Sequence, residues 1–444
     1  MIMAEKLKKF YVKTYGCQMN VYDSMVIGNI MKQEGYEMCD SLAEADLIVV
    51  NTCHIRKKAT EKVYSELGRI KMVKKFGAII VLAGCVAQAE GELVFTRMPF
   101  VDFVVGPRNI HQIPSLIKAK DNNMALDFSV DPKFDYIEQD AIPSTISAFL
   151  AIQEGCDKFC SFCVVPYTRG SEYSRPVMDV YMEAVSLARH GASEIILLGQ
   201  NVNAYHGLDE NGEAQSLGWL ISKIARIKEI KRIRYVTSHP VDMHSELYDA
   251  HRNESKLMPF LHLPVQSGSD AVLKHMNRRY NYDTYMQVIY KLCECNPDIK
   301  FSSDIIVGFP GESDIDFAMT MKLVECVDFI QCFSFKYSPR PGTPGADFDN
   351  QVPEHIKDER LKILQKVLND KQIAFNNKMI GRSLDILCLS NDAKNQNCML
   401  GKTPYFQTTR IINANNKNCR LGDVVKVSVT KAYQNSLDAI IHGV

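Results

Sequence analysis

Cys156, Cys160 and Cys163 stand in the run GCDKFCSFCVVPYTRG, a C-x3-C-x2-C spacing. Three thiolates in one short loop can hold three irons of a 4Fe-4S cluster, and the fourth iron then has no protein ligand. A four-cysteine site is complete and mainly carries electrons, whereas a three-cysteine site keeps one position open for a substrate or cofactor. Phe162, just before the last cysteine, suits a loop that shields a cluster. The competing assignment is a structural zinc site. Zinc sites usually set two paired ligands plus two more at a distance, and no C-x2-C pair follows this loop within reach.

A second set of cysteines is spread along the first 122 residues. FYVKTYG, DLIVVN and AIIVLAG read as strands, the last two as buried apolar runs. Asp23 to Glu34, stopped by Gly35, and Arg56 to Lys75 read as the helices between them. Alternating strands and helices imply a parallel sheet covered on both faces. Cys17, Cys53 and Cys85 each follow one of these strands, 36 and 32 residues apart. They are therefore expected together at the carboxyl edge of one sheet, where open α/β sheets place ligands. One reading is a second three-ligand 4Fe-4S cluster; the other is three buried core cysteines at strand ends.

The chain has 444 residues, 46% hydrophobic and 23% charged, with formal net charge zero. That describes a soluble globular protein of about three domains, with no nucleic-acid signal from the chain as a whole. The start, MIMAEKLKKFYVKTYG, lacks the apolar stretch of a signal peptide. No run of about 18 apolar residues occurs, so no membrane span is expected. Fourteen cysteines without a secretory signal point to a reducing compartment, hence the cytoplasm, and to metal rather than disulfides. Cys39, Cys293, Cys295, Cys326, Cys332, Cys388, Cys398 and Cys419 show no ligand spacing and read mostly as small buried hydrophobes.

Residues 142–374 carry six strand-like runs: SAFLAIQ, EIILLG, RIRYVTS, PFLHLPV, FSSDIIVGF and DFIQCFSF. Helical patterns lie between them at Met178–His190, Leu217–Ile227, Ser269–Leu292 and Asp314–Val324. Six repeats suggest a partial (β/α)6 barrel of the TIM type. Its site belongs at the carboxyl ends of the strands, where LLGQNVNAY, TSHP, LPVQSGSD and VGFPGES fall. Taken singly, each of these is an ordinary turn; their shared rim is what makes them a set. Arg169 and Arg175 follow the cluster loop and are either anion ligands or solvated surface charges. After a long helix at His355 to Phe375, residues 376–444 hold six Lys and three Arg against four Asp, a net of +5. Strand-like runs split by Gly/Asn turns suggest a small antiparallel β-barrel of the OB type. There Tyr405 and Phe406 suit either base stacking or packing in a plain accessory domain.

The three-cysteine spacing resembles the signature of the radical S-adenosylmethionine (SAM) superfamily. TYGCQMNVYDS, NTCHIRKKATEKV, AGCVAQ, GCDKFCSFCVVPYTRGSEYSRP, LGQNVNAYH, LHLPVQSGSDAVL and DIIVGFPGE together resemble its methylthiotransferase family over nearly the whole chain. The resemblance implies a cluster domain at 8–122, a radical SAM core at 142–374 and a TRAM RNA-binding domain at 377–444. It implies that Cys156, Cys160 and Cys163 hold the cluster that binds SAM, and that Cys17, Cys53 and Cys85 hold an auxiliary 4Fe-4S cluster. Gln200, Asn201, Ser238, Gln266, Gly308 and Glu312, on the rim motifs, become candidate SAM contacts, with Phe162 beside the cluster.

The motifs TYGCQMN and NTCHIRKKA resemble the members that act on isopentenylated adenosine at position 37, beside the tRNA anticodon. The implied reaction uses two SAM molecules, one to methylate a cluster-bound sulfur and one to yield a 5′-deoxyadenosyl radical. A radical route suits carbon 2 of adenine, whose C–H bond no side-chain base removes at neutral pH. No side chain is assigned as a general acid or base, and neither the sulfur donor nor the electron donor can be read. A monomer in the cytoplasm, binding the anticodon loop and no membrane, is expected. The alternatives are the same chemistry on threonylcarbamoyl-adenosine or a ribosomal protein, and a non-catalytic iron–sulfur RNA-binding sensor.

Overall fold

The computed structural model describes residues 7–54, 57–119, 122–128, 133–136, 145–414 and 419–441. The expected helix start at Arg56 and the expected segment bounds at 142 and 444 lie outside the described residues. The chain divides into two compact units. The first comprises residues 1–143, 154–157 and 164–173, and the second residues 144–153, 158–163 and 174–444.

The first unit is built on a six-stranded, all-parallel sheet in the order β2-β1-β3-β4-β5-β6. The strands are β1 (Lys8–Tyr15), β2 (Tyr36–Met38), β3 (Leu47–Thr52), β4 (Ile79–Gly84), β5 (Phe103–Val105) and β6 (Met124–Ala125). Every residue of β3 is buried, as its uninterrupted apolar run requires of a strand covered on both faces. Helix α1 (Gln18–Gln33) opens directly after Cys17, five residues earlier than the pattern suggested, and ends before Gly35, whose φ of 79° favours glycine. Helix α2 (Lys57–Val73) and the short α3 (Cys85–Glu90) follow β3 and β4. The core packs Ile48, Val50, Ile80 and Leu82 of the sheet against Val63, Leu67 and Ile70 of α2.

The second unit carries the six expected core strands, all in parallel pairings: β7 (Ser147–Ala151), β8 (Glu194–Leu198), β9 (Arg232–Tyr235), β10 (Phe260–His262), β11 (Lys300–Val307) and β12 (Phe329–Lys336). They form two three-stranded sheets, β9-β8-β7 and β10-β11-β12, and Ile233 of β9 makes an isolated parallel bridge to Leu257, three residues before β10. The interruption falls where Pro259 and Pro264 flank the three-residue β10, since proline cannot donate to a ladder. One expected helix, Ser269–Leu292, is two: Asp270–His275 and Tyr282–Cys295. Asn277 and Arg279 between them take positive φ (56° and 58°), which breaks the helix, and Asn281 caps the second half by accepting the Thr284 N–H at 2.9 Å.

A closed five-stranded barrel ends the unit: β13 (Ser383–Asn391), β14 (Met399–Lys402), β15 (Thr408–Ile412), β16 (Val424–Ala432) and β17 (Ser436–Ile441). It is not wholly antiparallel, because β15 and β17 pair parallel. Two buried arginines of β9 fasten it to the core sheet. Arg232 donates to Lys402 O and Asp385 O, both at 2.7 Å, and Arg234 to Pro404 O at 2.8 Å and Thr403 O at 2.9 Å. Among the described residues no helix is long and apolar enough to cross a membrane.

Candidate iron–sulfur and cofactor sites

In the first unit, β1, β3 and β4 are neighbours and end level. Tyr15 pairs with Thr52, and Thr52 with Gly84. Cys17, Cys53 and Cys85 follow within two residues, so the sheet brings all three to one edge. Cys53 and Cys85 are buried and Cys17 is exposed. Beneath them runs a polar lattice. Asn20 Nδ2 donates to Thr52 O at 3.0 Å, Asn51 Nδ2 returns to Asn20 O at 2.9 Å, and Thr52 Oγ1 donates to Ala83 O at 2.6 Å. Two glycines permit this closeness. A Cβ on Gly16 would lie 2.5 Å from Cys53 Cβ, and one on Gly84, at φ 91°, would lie 2.4 Å from Thr52 O.

The electrostatics divide the cysteines of this edge, lowering Cys17 and raising Cys85. A hydrogen bond with Cys53, outweighing desolvation of the sulfur in an otherwise exposed residue and aided by the Arg169 charge, brings the Cys17 thiol down to about 6. Burial pushes Cys85 up, with Arg169 working against it. Arg169 is thus neither solvated nor an external anion clamp. It is 3% exposed and belongs to a buried group of four charges: it donates to Asp23 at 2.7 Å and Glu154 at 2.6 Å, and Lys133 pairs with the same two carboxylates. Arg175, in the second unit, is also buried, paired with Glu183 at 2.7 Å and donating to Ala151 O at 2.6 Å.

The C-x3-C-x2-C loop is held on the second unit through its latter half. Asn277 Nδ2 donates to Phe159 O at 2.9 Å and Lys158 O at 3.3 Å. Ser161 donates its N–H to Met276 O at 3.0 Å and its hydroxyl to His275 O at 2.6 Å. Lys158 reaches Asp242 at 2.7 Å, and Asp242 accepts from Asn201 at 2.8 Å, tying loop to rim. Phe162 packs against Val272, Met276, Phe309 and Tyr337. Arg278, 5% exposed, donates to Cys160 Sγ at 3.5 Å. The sequence reading missed Asn277 and Arg278 because it ran a helix through them; the polar stretch Asn277–Asn281 was the available signal.

The rim residues fall into two groups. Gln200 and Asn201 are positioned by Gln153, whose Oε1 accepts both their N–H groups at 2.8 and 3.1 Å. Glu312 turns inward, its Oε1 accepting from the Gly308 N–H at 2.8 Å and Arg360 at 2.7 Å. Burial raises its carboxyl, with those donors opposing. In contrast, Asn201 Oδ1, Ser238 Oγ, His239 Nε2 and Gln266 Oε1 are buried with no hydrogen-bond partner among the described residues. All four lie on loops after β8, β9 and β10. An unsatisfied buried polar group costs roughly 1–3 kcal/mol, so four on one rim fit a polar ligand such as the nucleoside and amino-acid ends of SAM. Among the described residues, Phe159 of this loop and Thr237 and Gln266 of the rim take positive φ (49°, 67° and 71°), where backbone strain accompanies function.

Tyr405 and Phe406 are packed. Tyr405 meets Phe375 edge-on at 5.5 Å, and Phe406 stacks on Phe260 at 6.3 Å under Arg234 and Lys402. Among the described residues no three His, Cys, Asp or Glu side chains converge to hold a single metal ion.

Residues 9–106 match the model described as uncharacterized protein family UPF0004, and residues 150–324 match the radical SAM superfamily. The chain is 54% identical to the tRNA-2-methylthio-N(6)-dimethylallyladenosine synthase of Wolbachia pipientis subsp. Culex pipiens (strain wPip), covering 97% of this chain and 99% of that one. It is 53% identical to the protein of the same name from Ehrlichia canis (strain Jake), covering 98% and 100%, and 52% to that of Rickettsia canadensis (strain McKiel), covering 98% and 99%. Among solved structures it resembles the radical SAM methyltransferase TsrM from Kitasatospora setae, with cobalamin and a [4Fe-4S] cluster bound (TM-score 0.58, 14% identity, 77% of each chain). It also resembles the cobalamin-dependent radical SAM enzyme OxsB (TM-score 0.51, 12% identity, 82% of this chain and 56% of that one). At such identities these two speak for the fold alone.

Proposed function

The chain belongs to the tRNA-2-methylthio-N(6)-dimethylallyladenosine synthase family of radical SAM enzymes, and on that premise we propose that it is a tRNA methylthiotransferase acting at carbon 2 of N6-isopentenyladenosine 37. When bound, two 4Fe-4S clusters and SAM supply the one-electron chemistry that exchanges the C2–H bond for C2–S–CH3. We assign Cys156, Cys160 and Cys163 to the SAM-binding cluster and Cys17, Cys53 and Cys85 to the auxiliary one. Asn201, Ser238 and Gln266 offer their unsatisfied polar atoms to SAM, and His239 joins them. Its ring stays neutral, because burial and the nearby Arg278 hold it down to about 2, so it can hydrogen-bond but not carry charge. Gln200 and Gly308 shape the rim through their backbone, Glu312 fixes Gly308, and Phe162 packs the cluster loop.

The observation that supports this reading best is the level ending of β1, β3 and β4. It gathers three cysteines, 36 and 32 residues apart, at one edge without any local ligand motif. In functional terms the chain has a cluster domain (8–122), a radical SAM core (142–374) and a TRAM domain (377–444) that binds the anticodon loop. The target base must be splayed out of the loop, as single-stranded RNA recognition commonly requires. It works as a monomer in the cytoplasm. The test is mass spectrometry of nucleosides from tRNA treated anaerobically with reconstituted protein, SAM and reductant. Isopentenylated tRNA should gain a methylthio group and threonylcarbamoylated tRNA should not; the reverse outcome, or no SAM turnover, refutes the reading.

A further inference from the structure

We propose that Arg278 is a positioning residue that tunes the SAM-binding cluster by lending Cys160 a buried, uncompensated positive charge. This rests on the assignment of Cys160 to that cluster. Arg278 is 5% exposed, and among the described residues no carboxylate pairs with it. Its other partners are neutral: Nη2 donates to Pro264 O at 2.7 Å and Nε to Tyr280 Oη at 3.1 Å. Nη1 reaches Cys160 Sγ at 3.5 Å. Buried charges are found paired; burial pushes the Tyr280 phenol up and keeps it neutral, which leaves the sulfur as the group in contact that can carry the opposite sign.

The geometry is rigid. The strained turn at Asn277 and Arg279 presents Arg278, while Asn277 and Met276 bind the backbone of the same cluster loop. Tyr280 donates to Val265 O at 2.7 Å and so fixes the oxygen that receives Nε. A lysine could not make these three contacts at once.

The contrast with the first unit sharpens the inference. Arg169 lies beside Cys85 and Cys17, but Asp23 and Glu154 accept from it directly, and Lys133 balances the second of those carboxylates. That group of two cations and two anions is neutral overall, so Asp23 offsets part of what the Arg169 charge does for Cys85. Arg278 has no such counterweight. A hydrogen bond from a cation to a cluster sulfur favours the form with the extra negative charge. Arg278 therefore stabilises the state reached when one electron enters from an external low-potential one-electron donor. The electron is drawn to the centre where SAM must be cleaved.

The test uses the full chain carrying Cys53→Ala, so that one cluster is titrated, with Arg278 intact or changed to Met, Gln or Lys. Iron and sulfide counts establish loading, and the reduced cluster is followed by electron paramagnetic resonance against ambient potential. Arg278→Met and Arg278→Gln should lower the reduced-to-oxidised ratio at fixed potential about tenfold, a shift of ~59 mV to more negative values for a one-electron couple. Arg278→Lys, which keeps the charge, should recover part of that shift even if the Met variant loads poorly. A loaded cluster whose midpoint is the same in all four proteins overturns this inference alone. If the Arg278-intact protein holds no iron at Cys156–Cys163, both this inference and the functional reading fall.

Discussion

Replacing Asp23 by Asn removes one charge from a closed group while keeping its shape. Asp23 is 1% exposed and accepts from Lys133 and, at 2.7 Å, from Arg169. Glu154 accepts from the same two cations at 2.9 and 2.6 Å. The variant turns a neutral quartet into a buried excess of one positive charge. Removing one partner of a buried ion pair costs about 3–5 kcal/mol, and because Glu154 still touches both cations we expect the lower end, ~3 kcal/mol. With a urea slope of about 2 kcal/mol/M, the unfolding midpoint of the first unit should fall by ~1.5 M. The chain's one tryptophan, Trp219, lies in the second unit, so its fluorescence midpoint should hold while the far-ultraviolet dichroism transition of the first unit moves. Restoring neutrality with Lys133→Met in the Asp23→Asn background should recover at least half of the loss. An unmoved dichroism midpoint in the single variant, or a double variant that loses the sum of the two singles, would refute the reasoning.

Further outcomes follow from the same geometry. Gly84→Ala would set a methyl group against Thr52 O at a residue with φ 91°, so the auxiliary cluster should fail to load while the SAM-binding cluster loads, by iron count. Ser238→Ala removes a buried hydroxyl that lacks a partner without ligand; the ligand-free protein should be as stable or slightly more so, while SAM binds up to about tenfold more weakly by calorimetry. Acid should weaken the fold in two windows. His239, held down to about 2 chiefly by burial, stays neutral in the folded chain while the unfolded chain takes up a proton below about pH 6.5. Its contribution is therefore complete above that pH and falls by up to about 1.4 kcal/mol per unit below it, and His239→Phe should flatten the slope. Burial pushes the Asp23 carboxyl up, but Arg169 and Lys133 outweigh it and hold it low, so its contribution is present above about pH 4 and is lost as pH falls through the folded value.

The sequence exposes most of what places the cysteines. Strand–helix alternation put Cys17, Cys53 and Cys85 on one edge, because buried strands of a parallel sheet are continuous apolar runs with little ambiguity. It did not reveal β2, β5 and β6, which have three, three and two residues and too little pattern to read. It placed the start of α1 late because Cys17, not a conventional capping residue, opens that helix. The buried quartet was invisible for a different reason: Asp23 and Arg169 are 146 residues apart, and nothing local marks either as buried. Arg278 was hidden inside an assumed helix that two left-handed residues interrupt. Tyr405 and Phe406 were open between base stacking and packing in the sequence, because their ring partners, Phe375 and Phe260, lie about 30 and 146 residues away.

The most direct measurement is the iron and sulfide content of the anaerobically reconstituted chain and of two single-cysteine variants. Two independent three-cysteine sites predict about eight irons per chain in the parent and about four in each of Cys53→Ala and Cys160→Ala, on the count of one cubane per site. A fully loaded parent holding about four, or a Cys53→Ala protein that keeps all eight, would contradict the account.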